Sequence, residues 1–73
     1  MVHEIVSPLD GIVFQLKVKP GDTVEEDEEL LVIEAMKMET PVFAPCDGTI
    51  REIRVKEGDE VLENDVLAII DEG

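Results

Sequence analysis

One lysine in this sequence has an unusual set of neighbours. Lys37 lies between Met36 and Met38, and Glu34 and Glu39 stand just outside the two methionines. A lysine that acts as a general base or forms a Schiff base needs burial or a nearby cation. Lys37 has two carboxylates close in sequence instead. We therefore predict a passive amine that reacts only when a partner enzyme offers an activated acyl group, and we predict no catalytic residue in this chain.

Lys37 stands where two similar halves of the sequence meet. Residues 7–36 align without a gap over residues 44–73, and 11 of the 30 aligned pairs are identical. Both halves contain the turn sequence Pro-x-Asp-Gly and the segment Val-Lys-x-Gly-Asp-x-Val. A half of about 30 residues buries too little apolar surface to fold alone. We expect the two halves to share one core, in a single domain that spans residues 1–73.

Short apolar stretches between frequent turn residues predict an all-β sandwich or barrel. The predicted strands cover residues 3–6, 11–18, 23–25, 30–35, 38–43, 48–55, 60–62 and 66–71. The apolar residues Val13, Leu16 and Val18 break the two-residue period of a strand once, as do their equivalents in the second half. We therefore predict a β-bulge near residues 14–15 and another near residues 51–52.

The turn residues predict how the halves are joined. Gly21 and Gly58 occupy equivalent turns and are predicted to have positive φ. The strands are expected to intertwine about a pseudo-twofold axis, with Lys37 at the tip of the hairpin that links the halves. Tight hairpins favour Asn-Gly or Asp-Gly, so Met36 and Lys37 are poor turn residues. Such local conflicts are typical of functional positions.

The charge balance argues against two classes of partner. Nineteen acidic and six basic residues give a formal net charge of -13, which repels nucleic-acid phosphates and anionic lipid. No apolar run approaches the roughly 18 residues of a membrane helix, and the first residues lack the features of a signal peptide. We expect a cytoplasmic protein with neither nucleic acid nor a membrane as its partner.

The chain has one cysteine, Cys46, and one histidine, His3. A single cysteine cannot form an intrachain disulfide. Cys46 replaces Leu9 of the first half, which predicts an apolar packing role for its side chain. No second histidine or cysteine pair accompanies His3 in the sequence, so no metal site is predicted.

The hexapeptide from Glu34 to Glu39, together with the paired turn sequences, resembles the attachment site of the biotin carboxyl carrier (biotinyl) domain family. The resemblance covers nearly the whole chain and implies a flattened barrel of two four-stranded antiparallel sheets. It implies that biotin protein ligase joins biotin to Lys37, and that Glu34, Ala35, Met36 and Met38 form the motif recognised by the ligase. It further implies a non-catalytic carrier that shuttles a carboxyl group between biotin carboxylase and carboxyltransferase sites. The gapless halves leave no room for the thumb loop of some bacterial carriers.

Other interpretations of the same residues stay open at the sequence level. A lipoyl carrier of a 2-oxoacid dehydrogenase shares the fold and the lysine hairpin, although its lysine is usually flanked by Asp and Ala rather than by methionines. A purely structural hairpin domain, as in efflux adaptor proteins, would carry no acyl group. Met36 and Met38 could also be ordinary strand residues with no role in recognition.

Overall fold

The computed structural model describes all 73 residues and contains eight β-strands. The strands are β1 (Val2–Val6), β2 (Gly11–Leu16), β3 (Thr23–Val24), β4 (Glu29–Ala35), β5 (Met38–Phe43), β6 (Gly48–Ile53), β7 (Glu60–Val61) and β8 (Val66–Asp71). No helix in the structure could cross a membrane.

Two antiparallel four-stranded sheets form the fold, and each contains strands from both halves of the sequence. One sheet has the order β1-β8-β6-β3 and the other has the order β5-β4-β2-β7. A shift of 37 residues turns β2, β3 and β4 into β6, β7 and β8, so the two sheets are related by a pseudo-twofold axis. The predicted all-β fold with two intertwined sheets is confirmed.

Both predicted β-bulges are present. The pairing of β2 with β4 shifts its register between Val13 and Gln15, and the pairing of β6 with β8 shifts between Ile50 and Glu52. The extra residue in β2 is Phe14, whose side chain is 49% exposed. A bulge lets one additional residue leave the ladder without moving the following apolar side chain to the wrong face.

The predicted ends of two strands are wrong by two residues. β2 ends at Leu16 rather than residue 18, and β6 ends at Ile53 rather than residue 55. Val18 and Val55 still pack against the core, but they do so from irregular segments that lead into turns. Burial in the core, rather than strand pairing, explains why these two positions are apolar.

Equivalent turns of the two halves extend the pairing of the short strands, β3 with β6 and β7 with β2. Gly21 donates its backbone N–H to the carbonyl of Ile50, and Gly58 donates to the carbonyl of Val13, both at 2.8 Å. Each glycine has a φ of 95°, a region that residues with a Cβ rarely adopt. The prediction of positive φ at both glycines is therefore confirmed.

The core lies between the sheets and is almost wholly aliphatic. Its 13 buried residues are Ile5, Val13, Val24, Leu30, Leu31, Ile33, Val42, Ala44, Ile50, Val61, Leu67, Ala68 and Ile70. Strand β4 is buried on both faces over residues 30–33, as β8 is over residues 67–70. Full burial of one such aliphatic side chain contributes about 1.5–3 kcal/mol. β4 is thus a firmly held strand, and it leads directly to the hairpin that contains Lys37.

Candidate functional site

The hairpin between β4 and β5 has a two-residue turn. Glu34 pairs with Glu39 and Ala35 pairs with Met38, which leaves only Met36 and Lys37 unpaired at the tip. The predicted position of Lys37 at the tip of a hairpin is confirmed.

Both turn residues have left-handed backbone conformations. The φ of Met36 is 51° and that of Lys37 is 66°, as expected for the turn type that matches the twist of a tight hairpin. An L-residue with a Cβ in this region costs about 1–2 kcal/mol. Asn-Gly would form the same turn at lower cost. The residue types at the tip are therefore explained by their side chains and not by turn stability.

The side chains of the tip extend into solvent. Met36 is 95% exposed and Met38 is 70% exposed, and Lys37 is also exposed. Lys37 takes part in none of the ion pairs or hydrogen bonds of the structure. The cross-strand pair of Glu34 and Glu39 places two exposed carboxylates at the base of the turn. The amine is thus available to an incoming enzyme and is not held by its own domain.

A shallow groove lies beside the tip. Its volume is about 490 Å³, and its lining includes Ile12, Ala35, Met36, Val61 and Leu62, together with the carboxylate residues Asp10, Glu34 and Glu60 and with Gly11. Ile12 and Leu62 are 44% and 63% exposed. The hairpin lysine therefore stands next to an apolar surface with an acidic border.

Sequence reasoning missed Ile12 and Leu62, although the internal repeat contains a signal for them. Their equivalents in the other half are Thr49 and Glu25, which are also exposed. The fold tolerates polar residues at these positions, so it does not require Ile12 and Leu62 to be apolar. A comparison of the halves for apolar residues outside the core would have singled them out.

Gly11 allows β2 to pass close to the end of β4. A Cβ at this position would lie 2.6 Å from the carbonyl oxygen of Glu34 and 2.6 Å from Cγ2 of Ile33. Such distances are well below van der Waals contact. Gly11, which lines the groove, therefore lies in direct contact with the residues just before the turn.

The structure also brings together three side chains that sequence reasoning did not connect. His3, Cys46 and Glu72 lie on three separate segments, and their potential ligand atoms lie within 4.8 Å of one another. Burial, together with the carboxylates of Glu72, Asp47 and Glu26, raises the pKa of the Cys46 thiol. The sequence argument against a metal site assumed that His3 had no such neighbours, and in the fold it has two.

Comparison with known proteins supports a carrier class. The biotin/lipoyl family model, described as "Biotin-requiring enzyme", matches residues 3–70. The 1.3S subunit of methylmalonyl-CoA carboxyltransferase from Propionibacterium freudenreichii subsp. shermanii is 57% identical over 37 residues, which are 51% of this chain and 30% of that subunit.

Two solved structures share the fold over almost the whole chain. The Kluyveromyces lactis urea carboxylase superposes with a TM-score of 0.91 and 32% identity, over 97% of this chain and 6% of that one. The lipoyl domain of the 2-oxoglutarate dehydrogenase complex from Azotobacter vinelandii superposes with a TM-score of 0.78 and 36% identity, over 94% of this chain and 98% of that one. This chain therefore spans only a small part of the carboxylase.

The fold and the lysine hairpin together define the class of biotin- and lipoyl-attachment domains. The chain belongs to the biotin/lipoyl family, whose model carries the description "Biotin-requiring enzyme". The resemblance drawn from the hexapeptide around Lys37 is confirmed at the level of the family.

Proposed function

We propose that this chain is a biotin carrier domain and that Lys37 is its attachment residue. The observation that carries the proposal is the turn itself. Two residues that disfavour a left-handed turn occupy it, and the lysine among them is exposed and free of intramolecular partners. The methionines on either side match the biotinyl motif and not the usual lipoyl motif.

The arrangement at the tip suits the covalent attachment of a carboxylic acid. In the ligase site, Nζ of the deprotonated Lys37 amine would attack the acyl carbon of biotinyl-adenylate and form an amide, with AMP as the leaving group and the released proton passing to solvent. The exposed Met36 and Met38 are adaptable apolar contacts for the ligase, and Glu34 and Ala35 complete the motif. When bound, biotin supplies a ring nitrogen that accepts a carboxyl group in one active site and releases it in another.

The rest of the domain acts as a rigid base. β4 is buried over residues 30–33, which anchors the base of the hairpin in the core. The lysine side chain adds a flexible arm to this base, and tethering converts encounters with successive enzymes into a local search. The domain supplies position and length, and the chemistry takes place in its partners.

We infer three partner enzymes, which are a biotin protein ligase, a biotin carboxylase and a carboxyltransferase. The similarity to a carboxyltransferase subunit and to a urea carboxylase supports this set. The groove beside the tip, with Ile12 and Leu62 exposed, offers these enzymes an apolar contact surface next to the arm. The free, half-buried thiol of Cys46 suits a reducing compartment, so we place the domain in the cytoplasm.

The test is the intact mass of the protein after co-expression with a biotin protein ligase. The unaltered chain should gain one biotinyl group, and Lys37→Arg should gain none. Lys19→Arg is the matched control, because Lys19 is also an exposed turn lysine. An unmodified chain, or equal modification of the Lys37→Arg variant, would refute the assignment.

The same experiment distinguishes biotin attachment from lipoyl attachment, the alternative that the 36% identity to a lipoyl domain supports. Co-expression with a lipoyl ligase instead of a biotin ligase should leave the mass of this chain unchanged. A lipoyl increment without a biotinyl one would assign the domain to a 2-oxoacid dehydrogenase.

A further inference from the structure

A cluster of three possible metal ligands lies at the far end of the β4–β5 hairpin from Lys37. Cys46 lies three residues after the end of β5, His3 lies in β1, and Glu72 directly follows β8. Nε2 of His3 is 2.9 Å from Oε1 of Glu72, and all three ligand atoms lie within 4.8 Å of one another. Because β5 runs away from the turn for six residues, the cluster is spatially separate from the lysine tip.

Backbone pairing holds the segments of His3 and Glu72 in place, and core packing holds Cys46. The N–H of Glu72 donates to the carbonyl of Met1 at 2.7 Å, which continues the pairing of β1 with β8. His3 pairs with Ile70 in the same ladder, and the half-buried Cys46 packs against the core. The cluster therefore needs little additional ordering to bind a ligand.

The fold does not require these residue types. The pseudo-twofold axis relates His3, Cys46 and Glu72 to Thr40, Leu9 and Ala35 respectively. The equivalent positions at the other end of the domain thus hold no metal ligand, while the same strands form around them. Packing alone accounts for a small apolar residue at position 46, but not for an imidazole and a carboxylate beside it.

The electrostatics of the cluster favour a cation. Asp47 follows Cys46 directly in the chain, and the N–H of Glu26 donates to Oδ1 of Asp47 at 2.7 Å, so two further carboxylate residues border the cluster. A metal cation that replaces the thiol proton would compensate these negative charges and also neutralise the thiolate.

We propose that His3, Cys46 and Glu72 bind one divalent cation of the Zn²⁺ type. Imidazole, thiolate and carboxylate are the protein ligands of zinc, and three of them leave a fourth position for water or an external donor. Binding forms bonds from the metal to nitrogen, sulfur and oxygen, and the thiol proton passes to solvent. This site is independent of the biotin carrier function.

The required movement is small. Tetrahedral zinc with bonds of about 2.0–2.3 Å holds its ligand atoms roughly 3.3–3.7 Å apart. The 2.9 Å contact between Nε2 of His3 and Oε1 of Glu72 must lengthen by roughly half an ångström, and the other separations, which reach at most 4.8 Å, must close by at most about 1.5 Å. Glu72 is exposed and His3 is half-buried, so both side chains have room to turn toward Sγ.

A cobalt titration of the biotin-free chain tests the site, because Co²⁺ bound to a thiolate has a near-ultraviolet charge-transfer band. The chain has one cysteine and one histidine, so the band and the imidazole NMR signals each report a single residue. In a non-thiol reductant, we expect the band to saturate at one Co²⁺ per chain, the His3 signals to shift, and Zn²⁺ to displace the cobalt.

Four variants make the result specific. Cys46→Leu copies Leu9 of the other half, so it should fold and still accept biotin while losing the band. Mutating a residue that only hydrogen-bonds to a metal ligand weakens metal binding by about 10–100-fold. Replacing a ligand should have at least this effect, so His3→Gln and Glu72→Gln should each weaken binding at least tenfold. Glu4→Gln is the control for Glu72→Gln. It removes the same single negative charge, but from an exposed residue of β1 next to His3 in the chain. It should change the affinity less than about twofold.

Three outcomes would overturn the proposal. They are the absence of a saturable charge-transfer band, saturation at one cobalt per two chains, and a His3→Gln variant that binds as tightly as the unaltered chain. The second outcome would mean that Cys46 thiolates of two chains share the metal. None of these outcomes affects biotin attachment, which is measured separately at Lys37.

Discussion

Replacing Gly11 by alanine should impair biotin attachment, whereas the same change at Gly48 should not. The two glycines are equivalent in the repeat, and both lie where a strand crosses closely over its neighbour. A Cβ at Gly11 would lie 2.6 Å from the carbonyl oxygen of Glu34, and a Cβ at Gly48 would lie 2.6 Å from the carbonyl oxygen of Asp71. A backbone oxygen cannot rotate away as a side chain can, so in each variant a strand must shift.

The cost in stability should be similar in the two variants. Overpacking of a well-packed site costs about 1–3 kcal/mol. In a domain of this size, each kcal/mol lowers Tm by roughly 4–8 °C. We therefore expect both melting temperatures to fall by about 5–20 °C, with similar values for the two variants.

The effect on attachment should differ because only one clash lies beside the lysine. To restore ordinary contact, the carbonyl of Glu34 must retreat by about 0.5 Å or more, and it lies two residues before the turn. A misplacement of about 1 Å can cost an enzyme roughly 100-fold in rate. On that scale the kcat/KM of the ligase should fall about tenfold for Gly11→Ala and less than about threefold for Gly48→Ala.

The assay is the initial rate of biotinylation by purified ligase, followed by mass spectrometry at a temperature where circular dichroism shows both variants folded. Equal rates for the two variants would refute the argument that the Gly11 contact positions the hairpin. A normal melting temperature in either variant would contradict the predicted clash.

Three further predictions concern the turn, the core and the thiol. Met36→Gly should raise the free energy of unfolding by about 1 kcal/mol, because glycine adopts the left-handed φ of this position without strain. The same variant should be biotinylated more slowly, and thermal melts and ligase rates test the two effects separately. Ile50→Ala should cost about 2–5 kcal/mol and Met38→Ala less than about 0.5 kcal/mol in urea unfolding, and equal losses would contradict the assigned core. Because the pKa of Cys46 is raised, only a small fraction of this thiol should be thiolate near pH 8. In the presence of a chelator, iodoacetamide should therefore alkylate the native chain more slowly than the urea-unfolded chain. The rate for the native chain should increase as pH rises.

Much of the fold could be predicted from the sequence because its signals are local and occur twice. The turn glycines and the bulges after Val13 and Ile50 follow from patterns a few residues long, and the hairpin at Lys37 follows from its place between the two repeated halves. Two strands were predicted to end two residues too far along the chain. Val18 and Val55 are apolar because they pack against the core, and they take no part in strand pairing. Periodicity alone does not distinguish these two causes of an apolar residue.

The candidate site could be predicted only in part. The hexapeptide around Lys37 is contiguous, so the chain itself brings its members together. Ile12 and Leu62 come from different halves, and they meet beside the tip only because β2 pairs with β7. No local pattern predicts that contact.

The sequence by itself determined the repeat, the all-β architecture and the lysine presented at a hairpin, because strand periodicity, turn glycines and the repeat can all be recognised along the chain without knowledge of contacts between distant residues. Tertiary structure alone decided which distant side chains share a surface. His3 and Glu72 are 69 residues apart and in hydrogen-bond contact, because β1 pairs with β8 and brings the first and last strands of the chain together. Contacts of that kind depend on strand order and register, and they can be assigned only once the two sheets have formed.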